Sequence, residues 1–257
     1  MENSSPIFID KKSEIGILML HGFSGSPKQF SELAGYLSAR GFTVYAPLIA
    51  GHGTTPEDFI RSGPDDWKDS VKKGYLRLKE KTKKIIIIGN SFGSNLGFWL
   101  ASELNNEPAA IISLGAPVFL RWHRFIRFRL NTYGRLKRYY KKPSRVYRID
   151  YTDMRDEVSY SVIPVKSLNE FLDFIEKETI PNLRKVSSPI LIANANHDTV
   201  IHPKSAAYIF SHIGSQIKEV FWFNSSQHGV AEAGCEGLFS KIHSFIREIM
   251  QPEIGKS

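Results

Sequence analysis

Ser91 sits at the centre of Gly89-Asn90-Ser91-Phe92-Gly93, after the run Lys83-Lys84-Ile85-Ile86-Ile87-Ile88 and before Ser94-Asn95-Leu96-Gly97-Phe98-Trp99-Leu100. A strand, a sharp turn and a helix with a serine at the apex describe a nucleophile lifted clear of a sheet. The two glycines stand where so tight a bend leaves no room for side chains. A serine hydroxyl is a weak nucleophile unless a base takes its proton. His228, in Asn224-Ser225-Ser226-Gln227-His228-Gly229, follows an apolar run ending at Phe223 and is the candidate base. Asp198, in Asn194-Ala195-Asn196-His197-Asp198-Thr199-Val200, follows another such run and is the candidate carboxylate that orients the imidazole. Asp150, Asp153, Asp156 and Asp173 are its competitors. The chemistry this set can perform is acyl transfer through a covalent serine adduct.

Acyl transfer needs donors for a developing oxyanion. The N–H of Phe92, next to the serine, is one candidate. The loop Leu20-His21-Gly22-Phe23-Ser24-Gly25-Ser26-Pro27 supplies the other, the Phe23 N–H, with Gly22 allowing close backbone approach. His52, between Gly51 and Gly53, reads as a loop brace, and His243 as a solvated residue of the last helix. His197, Asp198 and His202 lack a fourth ligand at a recognisable spacing, so no metal is expected.

These groups need a scaffold, and the chain reads as an α/β alternation. Strands are expected at Ile15–Leu20, Phe42–Ala46, Ile85–Ile88, Ala109–Leu114, Pro189–Asn194 and Lys218–Phe223. Helices are expected near Pro27–Arg40, Pro64–Glu80, Pro203–Ser211 and Glu236–Met250, besides the one after Ser91. Apolar strands alternating with helices imply a mostly parallel sheet covered on both faces. Between Val118 and Ser187 the alternation stops, and no strand is recognisable. The expected organisation is a core of residues 1–117 and 188–257 with a helical cap insert at 118–187, placed at the carboxyl ends of the strands.

Charge marks the insert. Of 34 Lys and Arg, eleven fall between Arg121 and Arg148 with no acid among them; elsewhere 23 cations face all 26 acids. The basic character belongs to one segment, which argues against a nucleic-acid-binding body. Helical spacing puts Trp122, Phe125, Ile126, Tyr133, Leu136 and Tyr140 on one face. Arg124, Arg127, Arg135, Arg138 and Lys142 fall opposite, with Phe128 and Tyr139 on the cationic side; Gly134 is a candidate break. Trp122, Phe125, Ile126 and Tyr140 are therefore expected to roof a substrate pocket. The cations are either solvated or recruit an anionic substrate or membrane surface.

The single cysteine, Cys235, excludes an intrachain disulfide. No apolar run approaches the ~20 residues that cross a bilayer, and Met1-Glu2-Asn3-Ser4-Ser5-Pro6 lacks a signal-peptide pattern. The expected location is cytoplasmic.

His21-Gly22-Phe23, Gly51-His52-Gly53, Gly63-Pro64-Asp65-Asp66-Trp67, Gly89-Asn90-Ser91-Phe92-Gly93, Asp198 and Ser226-Gln227-His228 together resemble the α/β-hydrolase carboxylesterases and monoacylglycerol lipases of bacterial type. The resemblance runs from about Ile15 to Met250 and is weakest in the insert. It implies Ser91 as nucleophile, Asp198 as acid, His228 as base, the Phe23 and Phe92 N–H groups as oxyanion hole, and no cofactor. The chain order Ser, Asp, His is the one this fold uses. Two positions depart from the pattern: Asn90 replaces an apolar residue and Ser94 a glycine. The implied substrate is a small-molecule ester, of short to medium acyl length or a monoacylglycerol. An acyl thioesterase and a hydrolase-fold receptor with little turnover are the alternatives.

Overall fold

The structure is a computed structural model, and it describes residues 4–132, 137–141, 160, 162–226, 228 and 237–251. Its centre is a seven-stranded sheet. In chain order the strands are β1 (Ile7–Ile9), β2 (Ile15–Leu20), β3 (Thr43–Ala46), β4 (Lys84–Asn90), β5 (Ala110–Leu114), β8 (Ile190–Ala195) and β9 (Lys218–Phe223). Across the sheet they lie in the order β1-β3-β2-β4-β5-β8-β9. All neighbours are parallel except β1, which runs antiparallel along the edge of β3. Three residues are too few to show a periodicity, and β1 has no counterpart in the sequence reading.

Side chains of a strand alternate between faces, and β4 shows what that does to a run of isoleucines. Ile86 and Ile88 pack on one face with α1 (Ser31–Ser38) and α9 (Leu238–Met250), against Leu33, Leu37, Ile242 and Phe245. Ile85 and Ile87 pack on the other face with α3 (Pro64–Lys79) and α4 (Phe92–Glu103), against Trp67, Leu78 and Leu96. Further along that face, Ile111 and Ile192 meet α8 (Lys204–His212) through Ala206 and Ile209. Strands buried on both faces read as continuous apolar runs, which is why the central ones were legible.

A short helix, α2 (Pro56–Arg61), was not anticipated. Its signal was present: the Thr55 hydroxyl accepts the Asp58 N–H at 3.1 Å, Pro56 opens the first turn, and Glu57 and Asp58 face the helix N-terminus. The expected helix at Pro27–Arg40 begins instead as a 3₁₀ turn at Pro27–Phe30 before α1.

Between β5 and β8 lie α5 (His123–Thr132), β6 (Tyr139–Lys141), β7 (Val162–Pro164) and α6 (Val165–Phe174). From α6 the chain passes through a π turn at Ile175–Thr179 into α7 (Ile180–Asn182). The long helix expected through Lys142 stops at Thr132, and Tyr140 lies on a strand: β6 pairs antiparallel with β7, Tyr140 opposite Ile163. Tyr133, Gly134, Arg135, Leu136 and Lys142 lie outside the described residues.

The faces of α5 also differ from the helical-wheel expectation. Arg127, placed on the solvated side, turns inward and bonds Asp173 at 2.7 Å and Glu176 at 2.9 Å. Trp122 and Phe125, placed on the inner face, are 62% and 54% exposed, with Phe128 beside them at 62%. Ile126 does face inward, and so does Tyr140 from its strand; both pack on the aromatic cluster above the sheet. Acidic partners some fifty residues along the chain decided the rotation of α5. Among the described residues no helix is long and apolar enough to cross a membrane.

Candidate active site

The parallel strands β2, β4, β5, β8 and β9 run the same way, so their following loops come out at one edge of the sheet. Loops after β2, β4, β8 and β9 carry Phe23, Ser91, Asp198 and His228. Ser91 joins β4 to α4 with φ 51 and ψ −121. A side chain held in that region costs on the order of 1–3 kcal/mol and persists only where its surroundings enforce it. Here the Ser91 N–H is fixed to the Leu114 carbonyl at 2.7 Å. A Cβ at Gly93 would run into the Leu20 carbonyl, and one at Gly89 into the backbone of Ser94. Ser94, a departure from the family pattern, turns its hydroxyl onto the Gly89 carbonyl at 2.7 Å, so its polarity is satisfied within the turn.

Nε2 of His228 lies 2.9 Å from Oγ of Ser91, and Nδ1 lies 2.9 Å from Oδ2 of Asp198. An ionised carboxylate only accepts hydrogen bonds, so Nδ1 carries the proton and Nε2 offers its lone pair to the serine hydroxyl. The other carboxylate oxygen of Asp198 accepts the N–H groups of Val200 (2.7 Å) and Ile201 (2.8 Å). Burial works against the charge on Asp198, but His228 beside it and the backbone donors outweigh that effect. They hold its carboxyl below the usual range. Arg121 donates from Nε to the Asp198 carbonyl at 2.6 Å, and Leu120 bridges to Ile201. The segment after β5 is thus fastened to the loop that bears Asp198. Of the competing carboxylates, Asp173 is engaged by Arg127 and Lys177. Asp150, Asp153 and Asp156 lie outside the described residues.

The Phe92 N–H begins α4, where first-turn donors have no acceptor within the helix. The Phe23 N–H belongs to a peptide whose carbonyl end, Gly22, accepts from Nδ1 of His21 at 3.1 Å and from the Gly25 N–H at 3.0 Å. His21 is fully buried, and desolvation pushes its pKa down to about 4 against a smaller opposing effect of the Gly22 carbonyl. The neutral ring donates at one nitrogen and at the other accepts the Ile49 N–H, 3.1 Å away. His52 packs its ring 4.4 Å from Phe59, as a brace would.

Phe23 stacks on Phe171 of α6 at 4.5 Å between centroids, and Phe92 meets Phe171 and Phe174 edge-on. Around Ser91 the structure therefore gathers apolar aromatic side chains. It brings Ile126 and Tyr140 to that cluster and leaves Trp122 and Phe125 at the surface. Three contributors went unnoticed in the sequence: His21, Arg121 and Phe171. His21 stood inside a recognised motif, while the others acquire their roles only through tertiary contacts.

Residues 11–232 match the family Hydrolase_4, described as serine aminopeptidase, S33. A carboxylesterase of Bacillus subtilis (strain 168) is 27% identical over 228 residues, 86% of this chain and 87% of that protein. A thermostable monoacylglycerol lipase of Bacillus sp. (strain H-257) is 31% identical over 225 residues, 86% of this chain and 85% of the relative. Among solved structures, one from work on LipS and LipT, two metagenome-derived lipolytic enzymes, superposes with a TM-score of 0.85. It is 26% identical and covers 96% of this chain and 99% of its own. With strand order, elbow and matched span in agreement, the chain belongs to the Hydrolase_4 family and has the α/β-hydrolase fold.

Proposed function

We propose that this protein hydrolyses carboxylic esters through an acyl-enzyme on Ser91. The observation that carries the reading is the continuous hydrogen-bonded line from Asp198 through His228 to Ser91, 2.9 Å at each step, ending at the apex of a strained turn. His228 takes the hydroxyl proton as Ser91 attacks the ester carbonyl. The Phe23 and Phe92 N–H groups receive the oxyanion, and Asp198 stabilises the imidazolium. His228 then protonates the leaving alcohol, and a water activated by the same imidazole releases the acid. No cofactor is needed for any step.

Relatives called a carboxylesterase and a monoacylglycerol lipase support short to medium acyl esters or monoacylglycerols as substrates. The aromatic cluster at Phe23, Phe92 and Phe171 suits an acyl chain. In this reading residues 118–187 form the cap over a core of 1–117 and 188–257, and Ile126 and Tyr140 are its contribution to the pocket. The outer side of α5 has a different task. Trp122, Phe125 and Phe128 stand exposed among the exposed Arg124 and Arg129, with Arg129 over the Phe125 ring at 5.6 Å. Aromatic side chains interleaved with cations are the composition that settles at an anionic lipid surface, and we assign that surface as the partner of this face.

A fluorophosphonate probe tests the assignment. It should label the wild type and turn over with a nitrophenyl ester, and Ser91→Ala should lose both. Labelling that persists in the Ala variant would put the nucleophile elsewhere.

A further inference from the structure

An oxyanion donor is useful only at a fixed distance from the nucleophile. The bonds from His21 and Gly25 to the Gly22 carbonyl fix the direction of the Phe23 N–H, because a planar trans peptide sets N–H opposite to C=O. They are internal to the loop, however, and do not set its distance from Ser91. A second group does. Oε1 of Gln29 accepts the Gly22 N–H at 2.9 Å and Nδ2 of Asn90 at 3.1 Å. Asn90 is the residue before Ser91. One oxygen therefore ties the loop after β2 to the strand that presents the serine.

The surroundings are built around this contact. A Cβ at Gly25 would collide with the Gln29 side-chain amide, so the loop closes on Gln29 only because Gly25 has none. A Cβ at Gly22 would come 3.3 Å from that of Ser91, which shows how near loop and nucleophile lie. Asn90 is 2% exposed, and its Oδ1 has no hydrogen-bond partner among the described residues. An apolar residue there would avoid that unsatisfied acceptor. What Asn90 supplies and an apolar residue cannot is the Nδ2 donor to Gln29.

We propose that Gln29 and Asn90 are positioning residues that set the gap between the Phe23 N–H and Ser91 Oγ, and through it turnover rather than substrate affinity. The proposal rests on the roles given to Ser91 and Phe23 above. Neither side chain reaches the reacting atoms; both act through Gly22 and the backbone at Ser91. A misplaced donor weakens binding of the transition state and leaves the ground state nearly untouched.

Gln29→Met keeps the length of the side chain and removes its acceptor, Gln29→Glu keeps an acceptor oxygen, and Asn90→Leu removes the second donor. Turnover is measured per active site, titrated to completion with the fluorophosphonate, beside the affinity of a trifluoromethyl ketone analogue. Gln29→Met should lose roughly tenfold or more in kcat per titrated site with KM within about twofold, and analogue affinity should fall by the same factor as kcat/KM. Gln29→Glu should recover most of the loss. Asn90→Leu should show the same pattern of loss, because it cuts the same tie at its other end. A role in stability alone would lower Tm and the number of titratable sites while each remaining site keeps wild-type turnover, and that result overturns the proposal. If Gln29→Met does not fold, Asn90→Leu decides it by the same readout. Ser91→Ala runs in parallel: turnover that survives it would bring down the reading of the site itself. A dead Ser91→Ala beside unchanged turnover per site in the other variants brings down the positioning pair alone.

Discussion

His21 and Ile49 join two loops that are distant in sequence: Nε2 of the buried imidazole accepts the Ile49 N–H at 3.1 Å. The bond requires a neutral ring, and burial depresses the folded pKa from 6.5 to about 4. Between those values the unfolded chain binds a proton that the folded chain refuses. Stability from this group is therefore complete above about pH 6.5 and is lost as pH falls toward 4, on the order of 3 kcal/mol in all. Denaturant titrations from pH 7 to 4 should show the decline, and His21→Gln should flatten it by up to one proton. A decline of unchanged slope in the variant would assign it to other groups.

Asp198→Asn should lower kcat by about 10⁴, since the amide can hold the imidazole in the wrong tautomer. Asp173→Asn should stay near wild type, because Asp173 is occupied with Arg127 and Lys177. Steady-state kinetics on one soluble ester compares the two, and the reverse ranking would displace Asp198 as the acid.

Strain at the elbow predicts a stability order. Ser91→Gly accepts φ 51 and ψ −121 without a Cβ clash, whereas Ser91→Ala keeps the clash. The glycine variant should be more stable than the alanine variant by about 1–3 kcal/mol. Equal midpoints in denaturant would mean that the turn is relaxed.

The outer face of α5 should bind lipid in a charge-dependent way. Arg124→Gln and Arg129→Gln combined should weaken binding to phosphatidylglycerol-containing vesicles by on the order of 30-fold, at ~1 kcal/mol per cation. High salt should mimic the substitutions. Trp122→Ala with Phe128→Ala should weaken binding at any salt. Turnover of a small soluble ester should not change in either variant. Equal sedimentation with neutral and anionic vesicles, or self-association through this face in their absence, would overturn the assignment.

Much of the scaffold was legible because its strands are buried on both faces and its functional loops follow them directly. Ser91, Asp198 and His228 each stand a few residues past an apolar run, and that local context made them the candidates, which hydrogen bonds of 2.9 Å join in the fold. The rotation of α5 was not, because both of its faces carry apolar residues: Ile126 and Leu130 on one, Trp122, Phe125 and Phe128 on the other. Spacing cannot rank two such faces; the carboxylates of Asp173 and Glu176 do, by drawing Arg127 inward. Strands β6 and β7 have three residues each, too short for an alternation to register. Gln29 looked like any polar residue after a proline turn, since its two partners come from an adjoining loop and from a strand 61 residues away.

Ser91 and His228 are 137 residues apart in the chain, and the imidazole arrives only on the loop that follows the last strand of the sheet. A fragment ending before β9 would hold Ser91, Asp198 and the loop that bears Phe23, yet no imidazole against the serine hydroxyl. In the proposed reading, the reactivity of Ser91 would therefore appear only once β9 has joined the sheet and brought His228 with it.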